Sequence, residues 1–305
     1  MSDIHHITYL CRHEIDSHQW DQCIDASVSP LIYGHSYYLD RITENRWDAL
    51  IMDDYKAVMP LTWRSKFGIR YLYQPAFTQQ TGIFSLAALS PSQIEAFLHQ
   101  LDLHFRFAEI YLNHSNAYAA FERRTNYVVP LNAPYEQLSG QYKKDLTRNL
   151  KLAQRSSLYY KREVDPQTAL HDFRREYAKR LPAIKEDDYR RFETLCEYLR
   201  DQDRLLTRTV LDEHQQPLCS ALFLRDAHRF YLIHSTTPRV GRDTAANHFL
   251  LDQFIREFAG TPTILDFEGS DHPGIAHFYS NFGGVDQPYF FYRHNRLPWP
   301  VRWLK

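Results

Sequence analysis

The stretch that decides the fold lies near the end of the chain, where residues 265–270 read LDFEGS and residues 275–283 read IAHFYSNFG. The first stretch predicts the end of a strand, with Asp266 and Glu268 at its carboxyl end. The second stretch predicts a short helix that ends at Gly283, because glycine commonly closes helices. A last strand follows, so the chain closes on a strand, a short aromatic helix and a strand.

The segment before this stretch, residues 235–247, reads STTPRVGRDTAAN and joins a predicted strand to a helix that runs to Phe258. The free N–H groups and the dipole at the start of a helix attract anions. Arg239 and Arg242 add positive charge, and Gly241 permits a close backbone approach. The segment therefore indicates a phosphate site, although an ordinary strand-to-helix turn has the same pattern.

The remaining pattern predicts strands and helices that build mixed sheets, which places the chain in the α+β (mixed α/β) class. The polar loop at residues 212–216 joins two strands into a hairpin. Strands are predicted over residues 4–10, 47–52, 57–63, 70–73, 107–112, 126–131, 158–164, 205–211, 217–224, 229–234, 263–267 and 288–293. Helices are predicted over residues 17–26, 35–42, 91–104, 166–179, 186–200, 247–258 and 273–282.

Residues 141–162 form a basic segment, with seven cationic side chains and one anionic side chain. On a helical wheel the apolar residues share one face, and a stripe of four cations lies opposite. That stripe comprises Lys144, Arg148, Lys151 and Arg155. Two interpretations stay open at this point, a solvated helix face and a surface that contacts an anion.

Composition limits the classes of protein that this chain can represent. Its 305 residues carry 36 Lys and Arg against 37 Asp and Glu, so a bulk-charge interaction with DNA is not expected. Four cysteines without metal-ligand spacing predict neither a disulfide scaffold nor a metal site. The polar N-terminus is unlike a signal peptide, and no apolar run reaches the roughly 18 residues of a membrane span, so we expect a soluble cytoplasmic protein.

The length predicts two domains, and residues 130–134 mark the best boundary because the segment is loop-like and the charge pattern changes after it. We expect an N-terminal domain over residues 1–132 and a C-terminal domain over residues 133–305. The aromatic tail, residues 297–305, is expected to pack back on the first domain.

The order of these motifs resembles the GNAT acyltransferase superfamily, and more narrowly its Fem-type (FemAB-like) branch. The late helix with Tyr279 resembles the superfamily's closing helix, and residues 235–247 look like its pyrophosphate-binding segment. Two further stretches are similar to the Fem type: Asp266-Phe267-Glu268-Gly269, and the Arg-x-x-x-x-Ala pattern of residues 148–153. Residues 74–82, which read QPAFTQQTG, look like the N-terminal domain of that branch.

The resemblance implies two tandem GNAT-like domains, each a mixed, mostly antiparallel sheet flanked by helices. It implies an N-acyltransferase that moves an acyl group from acyl-CoA, such as acetyl-CoA, to an amino group of a cell-envelope or polysaccharide precursor. The co-substrate is expected to bind the segment around residue 241, through His234, Ser235, Arg239, Gly241, Arg242, Thr244 and Asn247.

The implied mechanism needs a proton donor for the departing thiolate and a base for the amine. Tyr279 is the candidate acid, Glu268 or Asp266 the candidate base, and His234 a further base candidate. The first domain is expected to supply the pocket for a small-molecule, glycan or peptide acceptor. Its amide and phenol groups suit hydroxyl and peptide groups, and the substrate-binding candidates are Tyr71, Gln74, Thr78, Gln79, Gln80 and, in the second domain, Arg148.

Two alternatives stay open. A Fem-type aminoacyltransferase would take its donor from aminoacyl-tRNA, which the basic stripe favours. Such enzymes generally carry Lys where this chain has Tyr279, so that residue favours acyl-CoA. A non-catalytic GNAT-like binding module is the second alternative, because only Val240 separates Arg239 from Gly241 and the usual phosphate-loop pattern is missing.

Overall fold

The computed structural model describes residues 6–162, 165–177, 183–269 and 271–299. These residues form two compact units. Unit 1 takes its described residues from Met1–Arg124, Arg190–Leu195 and Pro288–Lys305, and unit 2 from Thr125–Tyr189 and Cys196–Gln287. Parts of the predicted segments, at residues 4–5, 163–164, 178–179 and 300–305, lie outside the described residues.

Unit 1 contains one mixed sheet and three α-helices among its described residues. Its strands are β1 (Ile7–Cys11), β2 (Trp47–Met52), β3 (Ala57–Lys66), β4 (Ile69–Leu72), β5 (Phe84–Ser85), β6 (Phe107–Leu112), β7 (Glu122–Arg124) and, from the end of the chain, β15 (Tyr289–Asn295). Its helices are α1 (Ser17–Ala26), α2 (Ser36–Thr43) and α3 (Pro91–His104). The strand order is β1-β2-β3-β4-β6-β15-β7, with β5 beside β3, and only β4 and β6 pair in parallel.

Local chemistry explains the helix starts of unit 1. The Asp16 carboxylate accepts hydrogen bonds from the backbone N–H groups of His18 and Gln19, which caps α1. Ser90 and Gln93 cap each other's backbone N–H groups at the start of α3, with Pro91 in the first turn. Both helices therefore begin where the sequence predicts.

Unit 2 has the same kind of architecture. Its strands are β8 (Tyr127–Pro130), β9 (Tyr159–Arg162), β10 (Leu205–Leu211), β11 (Pro217–Arg225), β12 (Arg229–Thr236), β13 (Ile264–Asp266) and β14 (Val285–Asp286). Its helices are α4 (Tyr135–Ser139), α5 (Lys144–Gln154), α6 (Pro166–Tyr177), α7 (Glu186–Asp201), α8 (Arg239–Asp243), α9 (Ala246–Phe258) and α10 (Pro273–Ser280). Residues Arg190–Leu195 of α7 are assigned to unit 1. The strand order is β14-β8-β13-β12-β11-β10-β9, and only β12 and β13 pair in parallel.

The core of unit 2 lies between one face of this sheet and α9. Phe223 of β11 stacks on Phe254 of α9 with ring centroids 3.9 Å apart, and Phe230 meets Phe254 edge-on at 5.3 Å. Leu146 and Ala153 of α5 are buried, whereas the predicted basic stripe on its opposite side is exposed. The core thus fixes α9, whose first turn lies at the site described below.

The structure confirms the predicted α+β class, because both sheets are mixed, mostly antiparallel and flanked by helices. The two units differ from the predicted ranges in three places, one of which is the assignment of Arg190–Leu195 to unit 1. Unit 2 starts at Thr125 because β8 pairs with β13 and β14. Strand β15 pairs with β6 and β7 of unit 1, although its residues follow unit 2 in the chain.

Within the parts of the chain that the structure describes, every helix is too short or too polar to cross a lipid bilayer. Among the same residues, no group of three or more His, Cys, Asp or Glu side chains is placed to hold a metal ion.

Candidate functional site

Strands β12 and β13 separate at the centre of the unit 2 sheet. They pair only from Arg229 with Ile264 to Tyr231 with Asp266, and β12 then continues to Thr236. A register shift against β11 accompanies this separation, since Leu222 pairs with His234 and Phe223 with Leu232. A bulge of this kind re-aims the side chains that follow it.

A pocket of about 440 Å³ lies beside the end of β12. Four elements contribute to it: the end of β12, helix α8, the first turn of α9 and helix α10. Its lining comprises Ser235, Thr237, Gly241, Arg242, Ala245, Asn247, His248, Gly274, Ile275, Phe278 and Tyr279. Of the seven residues predicted for the co-substrate, Ser235, Gly241, Arg242 and Asn247 meet in this pocket.

The N-terminus of α9 opens into the pocket without a side-chain cap. Ala245, the residue before the helix, adopts a left-handed backbone with φ of 56°. The first backbone N–H groups of an uncapped helix are unsatisfied by the helix itself and attract anions. Arg242 lies in the same lining and supplies the positive charge.

A hydrogen-bonded group of small polar side chains fixes one wall. Ser235 Oγ donates to Asn247 Oδ1 at 2.7 Å, and Cys219 Sγ lies 3.3 Å from Thr237 Oγ1. Burial raises the pKa of the Cys219 thiol to about 11, so it stays protonated near neutral pH. The cysteine therefore helps to hold the wall and is a poor nucleophile.

Gly241 is required by packing as well as by the pocket. A Cβ atom at this position would lie 1.8 Å from the backbone oxygen of Leu218 in β11. Only glycine lets α8 approach β11 so closely. Thr244 caps the same short helix, because its hydroxyl donates to the backbone oxygens of Val240 and Gly241 at 3.3 and 3.2 Å.

Tyr279 lies on the opposite wall. Its ring stacks on Phe267 with centroids 4.6 Å apart and planes 9° apart, and Phe278 meets it edge-on at 5.3 Å. The side chain is half-buried and lines the pocket. Two aromatic neighbours thus hold the ring in the wall of the pocket.

The two candidate carboxylates occupy different environments. Asp266 is fully buried, pairs with the buried Arg229 guanidinium and accepts from Asn126 Nδ2 at 3.0 Å and from the Glu268 backbone N–H at 2.9 Å. These contacts make Asp266 a structural anchor outside the pocket lining. Glu268 is half-buried, also outside the lining, and has a left-handed backbone with φ of 57°.

His234 lies on the other face of β12, because neighbouring strand residues point to opposite faces and Ser235 points into the pocket. Its ring stacks on Phe173 of α6 with centroids 4.4 Å apart. Burial lowers the pKa of His234 to about 3, so the imidazole is neutral at pH 7 and a very weak base. The structure therefore separates His234 from the residues predicted to act with it.

Arg239 and Arg148 are exposed and lie outside the pocket lining. Arg148 sits on the basic side of α5, 3.4 Å from the Asp145 carboxylate. Arg148 therefore lies on the surface of unit 2.

The five unit 1 candidates lie in and after β4. Gln74 Nε2 donates to the Thr78 backbone oxygen at 2.9 Å, and Gln80 Nε2 donates to Gln79 Oε1 at 2.7 Å. Tyr71 packs edge-on against Phe107 at 6.2 Å. Three buried polar atoms of this loop have no hydrogen-bond partner among the described residues: Thr78 Oγ1, Gln79 Nε2 and Gln80 Oε1. Buried polar atoms without partners are rare and indicate a place where a ligand or water completes the bonding.

Sequence reasoning missed several lining residues, Thr237, Ala245, His248, Gly274, Ile275 and Phe278. Ile275, Phe278 and Tyr279 have the i, i+3, i+4 spacing of one helix face, which was the available signal. His248 carried no signal, because its position follows only from where α9 and α10 meet. Burial lowers the pKa of His248 to about 4, so its imidazole is neutral near pH 7.

The two sheets, each mixed and mostly antiparallel, give the chain as a whole a FemX-like fold. A crystal structure of FemX superposes with a TM-score of 0.64 at 13% identity, over 97% of this chain and 99% of that chain. A conserved protein of unknown function from Bacteroides thetaiotaomicron gives 0.56 at 9% identity, covering 94% and 99%. L-PGS from Bacillus licheniformis gives 0.52 at 12% identity, covering 95% of each chain.

No protein-family model matches the sequence, and no curated protein is significantly similar to it. At these identities the structural likeness shows the fold alone.

Proposed function

We propose that this chain is an N-acyltransferase that moves an acyl group from acyl-CoA to an amino group. One observation carries the proposal: the uncapped N-terminus of α9, Arg242 and Tyr279 all line a single pocket. The first two suit a diphosphate, and the third is a phenol that can donate a proton. Coenzyme A thioesters combine a diphosphate with a sulfur leaving group.

The donor would place its diphosphate at the first turn of α9 and at Arg242. Ser235 and Asn247, which hold each other at 2.7 Å, offer polar contacts along the way. Ile275 and Phe278 give an apolar wall for the uncharged part of the donor. The pocket volume of about 440 Å³ is within the usual range for small-molecule sites.

In the transfer step the amine nitrogen would attack the thioester carbonyl carbon, and the carbon–sulfur bond would break. The thiolate would take a proton from the Tyr279 hydroxyl, and the new ammonium group would lose its proton to a base. Asp266 already accepts three hydrogen bonds in a buried ion pair, so we propose Glu268 as the base. Its left-handed backbone supports this role, because strained residues cluster at functional sites.

We propose that the Gln74–Gln80 loop binds the sugar or peptide part of a cell-envelope or polysaccharide precursor. The unpartnered donor on Gln79, the acceptor on Gln80 and the hydroxyl of Thr78 support a neutral, hydrogen-bonding ligand group. The loop offers no charged side chain, which disfavours recognition of a charged group there.

A second candidate donor, aminoacyl-tRNA, is favoured by the exposed cations of α5. Lys144, Arg148, Lys151 and Arg155 face solvent on one side of unit 2. Such a stripe suits a phosphate backbone.

Donor consumption distinguishes the candidates. The full chain is incubated with acetyl-CoA or with aminoacyl-tRNA, each with amino sugars and short peptides as acceptors. We expect acceptor-dependent release of coenzyme A and no loss of aminoacyl-tRNA. Consumption of the tRNA donor alone would replace the proposal by the second candidate, and a donor that binds without being consumed would indicate a binding module.

A further inference from the structure

A second cavity in unit 2, of about 630 Å³, lies where β9 ends and β10 begins. Its lining shares no residue with the pocket beside the end of β12, which we call the donor pocket. The charged lining residues are Arg162, Arg200, Asp203, Arg208, Arg225 and Glu257, four arginines against two acids. We call this cavity the arginine pocket.

At the floor of the arginine pocket, Arg208 and Glu257 form an ion pair whose carboxylate also has other partners. Arg208 donates from Nε and from one terminal nitrogen to the Glu257 carboxylate, at 2.9 and 2.8 Å. Tyr160 Oη donates to the same carboxylate at 2.7 Å, and Arg162 Nε lies 3.3 Å from it. Glu257 is therefore fully engaged by residues at the floor of the pocket.

The rim carries guanidinium groups that are open to solvent. Arg225 has no side-chain hydrogen bond or ion pair within the described ranges. Arg200 Nε lies 3.7 Å from the Asp201 carboxylate, and the side chain is about half exposed. Asp165 also interacts electrostatically with Arg200. Its carboxylate, however, caps α6 by accepting hydrogen bonds from Thr168 N at 3.0 Å and from Thr168 Oγ1 at 2.9 Å. Among the described residues that line the pocket, Asp203 is the acid that remains to oppose the positive charge of the rim.

We propose that the arginine pocket binds a diphosphate group, either as free pyrophosphate or as part of a nucleoside diphosphate. Guanidinium groups bind phosphate oxygens in pairs of parallel hydrogen bonds. A single carboxylate would balance only one of the two excess positive charges of the lining, whereas a diphosphate balances both. The volume is within the range of sites for ligands larger than inorganic phosphate. This site is separate from the proposed transfer reaction.

Calorimetric titration of pyrophosphate and of ADP into the full chain, at constant ionic strength, tests the site. The double variant Arg200→Gln/Arg225→Gln is expected to bind both ligands at least about tenfold more weakly. Each hydrogen bond from a charged guanidinium group contributes more binding free energy than one between neutral groups. Both side chains are exposed, so the fold should be unaffected. A preference for ADP over pyrophosphate would assign the nucleotide as the ligand, and equal binding would assign the diphosphate alone.

Two controls separate this site from the donor pocket and from general charge effects. Arg242→Gln alters the donor pocket, and Arg106→Gln removes an exposed arginine of unit 1. Neither variant should change the part of pyrophosphate or ADP binding that the Arg200→Gln/Arg225→Gln variant loses. No binding by either ligand, equal binding by the double variant, or equal binding of sulfate would overturn the proposal.

Discussion

Replacement of Tyr279 by Phe is expected to lower kcat for acyl transfer about 100-fold, the lower range of what general acid catalysis contributes. The variant lacks only the hydroxyl that would protonate the thiolate. The ring would keep its stack on Phe267 at 4.6 Å, so the pocket wall should stay in place. Steady-state kinetics with acetyl-CoA and the best acceptor measure the effect.

Donor affinity and thermal stability of the Tyr279→Phe variant should stay close to those of the unmodified chain. Tyr159→Phe is the matched control, because Tyr159 is exposed on β9 and lies outside the pocket. Unchanged turnover in Tyr279→Phe would remove Tyr279 from the mechanism. An equal loss in both variants would show that the effect is unspecific.

Replacement of Asp266 by Ala is expected to lower the free energy of unfolding by about 3–5 kcal/mol, the usual effect of breaking a buried ion pair. The change would leave the Arg229 guanidinium buried without its carboxylate partner, and Asn126 Nδ2 and the Glu268 N–H without their acceptor. The ion pair joins a residue of the first β12–β13 pair, Arg229 with Ile264, to a residue of the last, Tyr231 with Asp266, after which the strands separate. Denaturant unfolding measures the change.

Two variants show whether this loss comes from the ion pair. Glu213→Ala removes an exposed acid in the β10–β11 loop and should change stability by no more than about 0.5 kcal/mol. Asp266→Leu combined with Arg229→Met removes both charges and should be less destabilised than Asp266→Ala alone. A loss below about 1 kcal/mol in Asp266→Ala would contradict a structural role for this carboxylate.

Local signals were sufficient for most of the fold. Strand β2 and strand β10 have the bounds that the sequence predicts, and so does helix α1. Residues close in the chain set each of these elements: a run of buried residues in β2, a polar hairpin loop after β10 and the Asp16 cap of α1. The α+β class followed from their order.

Pairing between distant parts of the chain could not be predicted. Strand β15 was recognised as a strand, but its place between β6 and β7 depends on side-chain fit with residues far back in the sequence. The pairing of Arg229 with Asp266 has the same origin, since neither residue signals its partner. The sequence therefore predicted Asp266 as a candidate base, while the structure shows a buried anchor.

The candidate site was predicted in part for the same reason. Gly241, Arg242 and Asn247 follow one another along one segment, so their pattern was visible in the sequence. His234 and Ser235 are adjacent in a strand and must point to opposite faces, so only one of them could line the pocket. His248 and Phe278 enter it through the contact of α9 with α10, where their rings lie 4.8 Å apart.

The most direct test of the account is calorimetric titration of acetyl-CoA into the full chain and into its Arg242→Gln variant. We expect the binding component of the donor pocket to be about tenfold weaker in Arg242→Gln and unchanged in the Arg225→Gln control, whose arginine lies in the other cavity. Absence of binding at millimolar acetyl-CoA, or equal affinity in Arg242→Gln, would contradict the assignment of this pocket to the donor.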